Sequence, residues 1–160
     1  MKKADHQLTN NVKLLQKVVL IHNNKFLIMR RSESSHSRPL AWDLPGGNSE
    51  WPETLDNKEN MHKNDAVREI FEETGIQLDS EKIIIENLVD FRTFFDAENQ
   101  VYSVIVGWKI NLDENFDEES VEISDEHINF KWITIEEIDN FDFGGNKGEF
   151  VKEIIKKSVS

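Results

Sequence analysis

The 160-residue chain contains no cysteine. Disulfides, thiolate nucleophiles and cysteine-based zinc or iron–sulfur centres are excluded. Basic side chains are in deficit: 19 Lys and Arg stand against 31 Asp and Glu, a formal net charge of −12. A surface of that sign repels phosphate backbones, which argues against general nucleic-acid binding. It also repels nucleotides unless a cation mediates the contact. Long apolar runs are missing as well, and none approaches the roughly 18–20 residues of a membrane-spanning helix. Met1 to Val12 is polar and lacks the apolar core of a secretory leader. Residues 1–12 are read as a polar N-terminal extension of a single domain over 1–160, and the expected location is cytoplasmic. Three prolines and seven glycines punctuate the chain sparingly. Their cluster at Pro45-Gly46-Gly47 is therefore a strong breaker.

Hydrophobic residues make up 38% of the chain, enough for a packed core. Lys13 to Ile21 and Lys25 to Met29 predict a hairpin across His22-Asn23-Asn24. Ala41 to Leu44 is a short apolar stretch, and Asn48 to Lys63 reads as loop. Asp65 to Thr74 is helical, with Val67, Ile70, Phe71 and Thr74 on the core face, Asn64 as cap and Gly75 as stop. Lys82 to Phe95 holds one long strand or two short ones. Val101 to Leu112 is apolar enough for the sheet centre, and Ile128 to Ile133 alternates as a strand. Thr134 and Glu137 predict a capped short helix over Ile135 to Asn140. Glu149 to Lys157 is an amphipathic terminal helix with Phe150, Val151, Ile154 and Ile155 inward. Strands dominate, which suggests an α/β fold with a mixed sheet covered by helices.

Chemistry concentrates in Arg68 to Ile76. Glu69, Glu72 and Glu73 are spaced i, i+3, i+4, which sets three carboxylates on one turn opposite Val67, Ile70 and Phe71. Like charges so placed destabilise a helix by a few tenths of a kcal/mol per pair. A hard divalent cation would offset that cost, since magnesium takes oxygen ligands and shares its shell with water and substrate phosphates. The Gly46-Gly47 turn allows backbone conformations closed to other residues and could aim a carbonyl at the same cation. An isolated acidic helix face is more often simply solvated.

Together these residues resemble the Nudix box, G-x5-E-x7-R-E-U-x-E-E-x-G-U with U a bulky aliphatic. Gly47 and Glu53 match its first part, and Arg68-Glu69-Ile70-Phe71-Glu72-Glu73-Thr74-Gly75-Ile76 matches its second. The chain departs from the pattern between them. Thr54 to Val67 spans fourteen residues where the pattern has seven, and the surplus is expected in Leu55 to His62. The resemblance implies an α/β/α sandwich with a mixed sheet, a box helix over about 65–75 and hydrolysis of a pyrophosphate linkage in a nucleoside diphosphate derivative. It implies magnesium or manganese held by Glu69, Glu72 and Glu73, with the Gly46 carbonyl as a further ligand. Arg68 is implied to orient a catalytic glutamate, with Glu53 a further catalytic candidate. The general base stays open between Glu69 and a distant loop residue, for which Glu126 is the candidate; its neighbour His127 reads as a loop histidine.

Arg30, Arg31 and Arg38 flank a loop that could meet phosphates, Trp42 could stack on a base, and Phe141, Phe143 and Asn146 could line a base pocket. The substrate expectation is a nucleoside triphosphate of the 8-oxo-dGTP type, with ADP-ribose or another sugar nucleotide as the alternative. A catalytically silent nucleotide-binding module is the reading from a different class. The partner expected is a small nucleotide rather than a nucleic acid or a membrane, with the protein a monomer or homodimer.

Overall fold

The computed structural model describes residues 11–54 and 56–159. Most of the expected N-terminal extension, and Leu55 within the insertion, lie outside the described residues. The elements run β1 (Val12–His22), β2 (Lys25–Arg31), β3 (Trp42–Asp43), β4 (Gly46–Asn48), α1 (Met61–Thr74), β5 (Leu88–Asp96), β6 (Val101–Asn111), β7 (His127–Ile133) and α2 (Glu149–Ser158).

Asn23 and Asn24 both take left-handed φ values, 49° and 60°, as a two-residue hairpin turn needs. Beyond that turn the hairpin splits. β1 and β2 stay paired only at Ile21–Phe26 and His22–Lys25. Further along, β4 takes the β1 edge at Leu15 to Lys17, and β3 takes the β2 edge at Met29 and Arg30. β6 runs parallel to β1 over ten residue pairs, and β5 and β7 add antiparallel strands. The sheet is therefore mixed, and the apolar run Val101 to Leu112 forms an interior strand, β6, between β1 and β5.

Alternation along β1 sorts the core into two layers. Val18 and Leu20 face α1 with Leu27, Met29, Ile70 and Trp108. Val19 faces α2 with Phe26, Ile28, Val151, Ile154 and Ile155. This is an α/β/α sandwich. The capping box at Thr134 and Glu137 is present, over a 3-10 helix at Ile135–Asn140.

Three local expectations are corrected. α1 begins at Met61, four residues ahead of Asp65, and its N-cap is Asn60, left-handed at φ 53° and without a side-chain cap bond. Part of the insertion thus becomes an extra helical turn, and Asn64 lies inside the helix. Phe71 is 49% exposed, whereas Glu73 is buried. Lys82 to Asn87 forms 3-10 turns at Ser80–Lys82 and Ile85–Asn87, and the strand starts only at Leu88. Gly75 ends α1 as expected, with φ 73° and its N–H donated to the Phe71 carbonyl at 2.8 Å.

Candidate active site

The split in the hairpin creates the site. β4 enters it on β1 and lies against α1, so the diglycine turn meets the carboxylate helix. Gly46 has φ 134°, and a Cβ there would lie 2.0 Å from the Gln16 carbonyl oxygen. Only glycine fits that approach. Its N–H donates to Glu73 Oε2 at 2.8 Å. A Cβ on Gly47 would lie 2.6 Å from the Glu69 carboxylate, so that side chain fills the space a methyl would take.

The three glutamates are not equivalent. Glu73 is 6% exposed, Glu69 is half-buried and Glu72 is exposed. Burial pushes the Glu73 carboxyl up to about 8, against the opposing pull of Lys17 and the Gly46 N–H. Burial also raises Glu69, with Arg68 opposing. Arg68 sits among four carboxylates. Its Nη1 donates to Glu72 at 3.1 Å and lies 3.4 Å from Glu50. Its Nη2 lies 3.2 Å from Glu69 and 3.6 Å from Asp65. Burial would lower the arginine's pKa, but Glu69, Glu72 and Glu50 outweigh it and raise it.

This donor set suits a hard divalent cation. It offers only oxygens, and among the described residues the buried Glu73 carboxyl has no salt-bridge partner of its own. Lys17, whose charge lowers the Glu73 pKa, donates instead to Asp43 at 3.0 Å and the Leu44 carbonyl at 3.3 Å. Among the described residues no three His, Asp or Glu side chains converge into a preformed cage. Arg68 holds Glu69 and Glu72 in the meantime. Magnesium needs few protein carboxylates when phosphates complete its shell, so the set remains suitable.

The remaining expected residues are placed as follows. Glu126 is exposed on the loop before β7, close enough to Glu69 to raise its pKa. Glu53 is exposed and, among the described residues, has no ion pair or hydrogen bond, unlike Glu50. Trp42 is buried edge-on to Phe141, and Phe143 is 2% exposed, so neither offers a free face for stacking. Arg30 donates to the Leu40 carbonyl. Arg31 and Arg38 are turned inward: with Lys17 they converge on one oxygen of Asp43, at 3.0, 2.8 and 3.0 Å respectively for Arg31, Arg38 and Lys17. Asp43 is fully buried, and although burial would raise its pKa, those three cations hold it at about 2. The sequence reading missed this knot. Its one visible trace is a lone aspartate between apolar Trp42 and Leu44.

Fold and site together define a class: an α/β/α sandwich with an acidic centre built on a diglycine turn and a glutamate-rich helix. The family model of the NUDIX domain matches residues 16–154, and the chain belongs to the Nudix family, hydrolases of pyrophosphate bonds in nucleoside diphosphate derivatives. Solved structures share the fold. A MutT protein from Methanosarcina mazei Go1 is 24% identical with a TM-score of 0.62, over 94% of this chain and 97% of that one. The NUDIX domain of Shewanella oneidensis NrtR, complexed with ADP ribose, is 17% identical with a TM-score of 0.62, over 94% and 88%. A bifunctional NMN adenylyltransferase/ADP ribose pyrophosphatase from Francisella tularensis, complexed with AMP and a manganese ion, is 20% identical with a TM-score of 0.57, over 94% and 43%. No curated protein matches the chain. Among the described residues no helix is long and apolar enough to cross a membrane.

Proposed function

We propose that this Nudix protein is a magnesium-dependent nucleoside triphosphate pyrophosphohydrolase of the 8-oxo-dGTP-removing type, with manganese able to replace magnesium. It works in the cytoplasm as a monomer or homodimer. The observation that carries the reading is the buried Glu73 carboxyl, fixed by the Gly46 N–H beside Glu69 and, among the described residues, lacking a salt-bridge partner. In this reading Glu69, Glu72 and Glu73 hold the cation, and the Gly46 carbonyl is a further donor. When bound, a divalent cation neutralises charge on the pyrophosphate and acidifies the attacking water. Arg68 keeps Glu69 and Glu72 oriented through its ion pairs. Glu69, half-buried against Gly47, accepts the proton from the attacking water, and Glu126 is the alternative acceptor. Glu126→Gln decides between them: loss of most of the turnover would move the role to Glu126.

ADP-ribose or another sugar nucleotide is the second reading, motivated by the two relatives named with ADP ribose. The test is product release from dGTP, 8-oxo-dGTP and ADP-ribose, each with and without magnesium. Magnesium-dependent cleavage favouring the oxidised triphosphate is expected. A preference for ADP-ribose would overturn the substrate assignment. Binding of the panel without turnover would overturn hydrolysis and favour a silent nucleotide-binding module.

A further inference from the structure

The box pattern points to Glu53, yet the structure brings a different glutamate to Arg68. We infer that Glu50, not Glu53, is the positioning residue that fixes Arg68 from the loop side. The consequence for turnover rests on the site reading above.

Backbone pairing makes the exchange. β4 continues β1's ladder through Leu15–Asn48, and the Ser49 N–H then donates to the Leu14 carbonyl at 2.8 Å. Glu50 is thus the first residue to leave a segment whose position is set by main-chain bonds. Its Oε1 lies 3.4 Å from Arg68 Nη1. Trp51 follows, 89% exposed, and Pro52 then restricts the chain. Glu53 therefore stands four residues beyond the anchored stretch, exposed and, among the described residues, unpaired.

The other partners of Arg68 lie on one element. On the helix it is drawn by Asp65, Glu69 and Glu72, all on α1. Its buried Nη2 satisfies no hydrogen bond, although two carboxylates lie within ion-pair distance. Among the described residues, Glu50 is the carboxylate that pulls from outside the helix. An exposed pair of this length adds little to stability. Its effect lies in which rotamer Arg68 keeps, and hence in how Glu69 and Glu72 are aimed.

Two variants of the full chain separate the candidates, Glu50→Gln and Glu53→Gln. The first readout is independent of activity: the 15N guanidinium resonance of Arg68 and its exchange. Glu50→Gln is expected to shift that resonance and speed its exchange, while Glu53→Gln leaves it as in the native chain. Melting temperatures should be unchanged in both, which separates the effect from misfolding. The second readout is turnover of 8-oxo-dGTP with magnesium. Glu50→Gln should lower kcat about tenfold with KM within about twofold, the scale of a lost orienting partner. Glu50→Asp should recover part of it.

A response of Arg68 to Glu53→Gln, to both variants or to neither overturns the assignment. So does a perturbed resonance with unchanged kcat. If the resonance moves as expected while the native chain hydrolyses none of dGTP, 8-oxo-dGTP and ADP-ribose, the Glu50–Arg68 contact stands and the hydrolase reading fails.

Discussion

At the scale of single residues, the two glycines of the turn separate stability from activity. Gly46 meets main chain: a Cβ would strike the Gln16 carbonyl oxygen, which cannot yield without breaking the β1–β4 pairing. Gly46→Ala is expected to cost about 3 kcal/mol, combining overpacking with an unfavourable φ, read as a lower melting temperature. Gly47 meets the far end of the flexible Glu69 side chain, which can swing away. Gly47→Ala should therefore fold normally and lose roughly tenfold or more in kcat, because the displaced carboxylate no longer serves the site. Equal thermal losses in the two variants would contradict this account. Glu73 behaves differently again. Burial raises its pKa to about 8 against the pull of Lys17 and the Gly46 N–H, so its charged form is held weakly until a cation binds. Glu73→Gln keeps the shape and removes the carboxylate that a cation would bind, so the fold should persist with hydrolysis abolished. In a thermal-shift titration, magnesium should stabilise the native chain and leave the variant unmoved. Near-full activity in Glu73→Gln would remove it from the site.

At the scale of elements, the acidic segment between β6 and β7 is tied down at both ends. Its later part donates from Glu122 and Ser124 to the Thr74 and Glu73 carbonyls, at the end of α1. Its earlier part is held by His22, the last residue of β1, whose ring nitrogens face Glu118 Oε1 at 2.8 Å and the Glu114 carbonyl at 3.2 Å. Two acceptors favour the imidazolium. The Glu118 hydrogen bond is the main cause of a raised His22 pKa, with the Glu114 carbonyl adding to it and burial and Lys25 opposing. A base whose pKa is higher folded than unfolded stabilises fully below about 6.5, and that contribution is lost as pH rises through the folded value. The native melting temperature should therefore fall, relative to His22→Gln, as pH is raised from about 6 to 8. Parallel curves would refute the latch. None of this latch was legible in the sequence, because His22 and Glu118 are paired only by the return of a distant loop. The elements themselves were far more legible. The strands of the hairpin, β6, β7 and α2 announce themselves through apolar periodicity, and Gly75 through its place after a helical run. The start of α1 did not, since Met61 to Asn64 carries neither a side-chain cap nor an apolar stripe. The roles of Glu50 and Asp43 were hidden for a related reason: both depend on how β3 and β4 fill the split hairpin, and no local pattern records that.

At the scale of the whole molecule, charge governs how substrate arrives. The chain carries a formal −12, and the Arg68 neighbourhood alone gathers Glu50, Asp65, Glu69 and Glu72 around one arginine. The positive groups near the turn do not offset this outwardly, because Lys17 and Arg38 are buried and, with Arg31, are spent on Asp43. A nucleotide therefore approaches against the field and relies on its own cations. Repulsion between exposed charges is screened over about 10 Å at 0.1 M salt, and charge-steered association responds steeply to ionic strength. Steering by a complementary surface would make kcat/KM fall as salt is added. Here the sign should reverse. With free magnesium held constant and saturating, kcat/KM for 8-oxo-dGTP should rise, by about twofold, as potassium chloride goes from about 20 to 150 mM, with kcat unchanged. Because screening acts on the encounter and not on the oriented carboxylates, the gain in kcat/KM should appear as a lower KM. A fall over the same range would mean that the cations around Asp43 reach the approaching phosphates after all, and that the arginine loop, not the carboxylate helix, sets the field at the entrance.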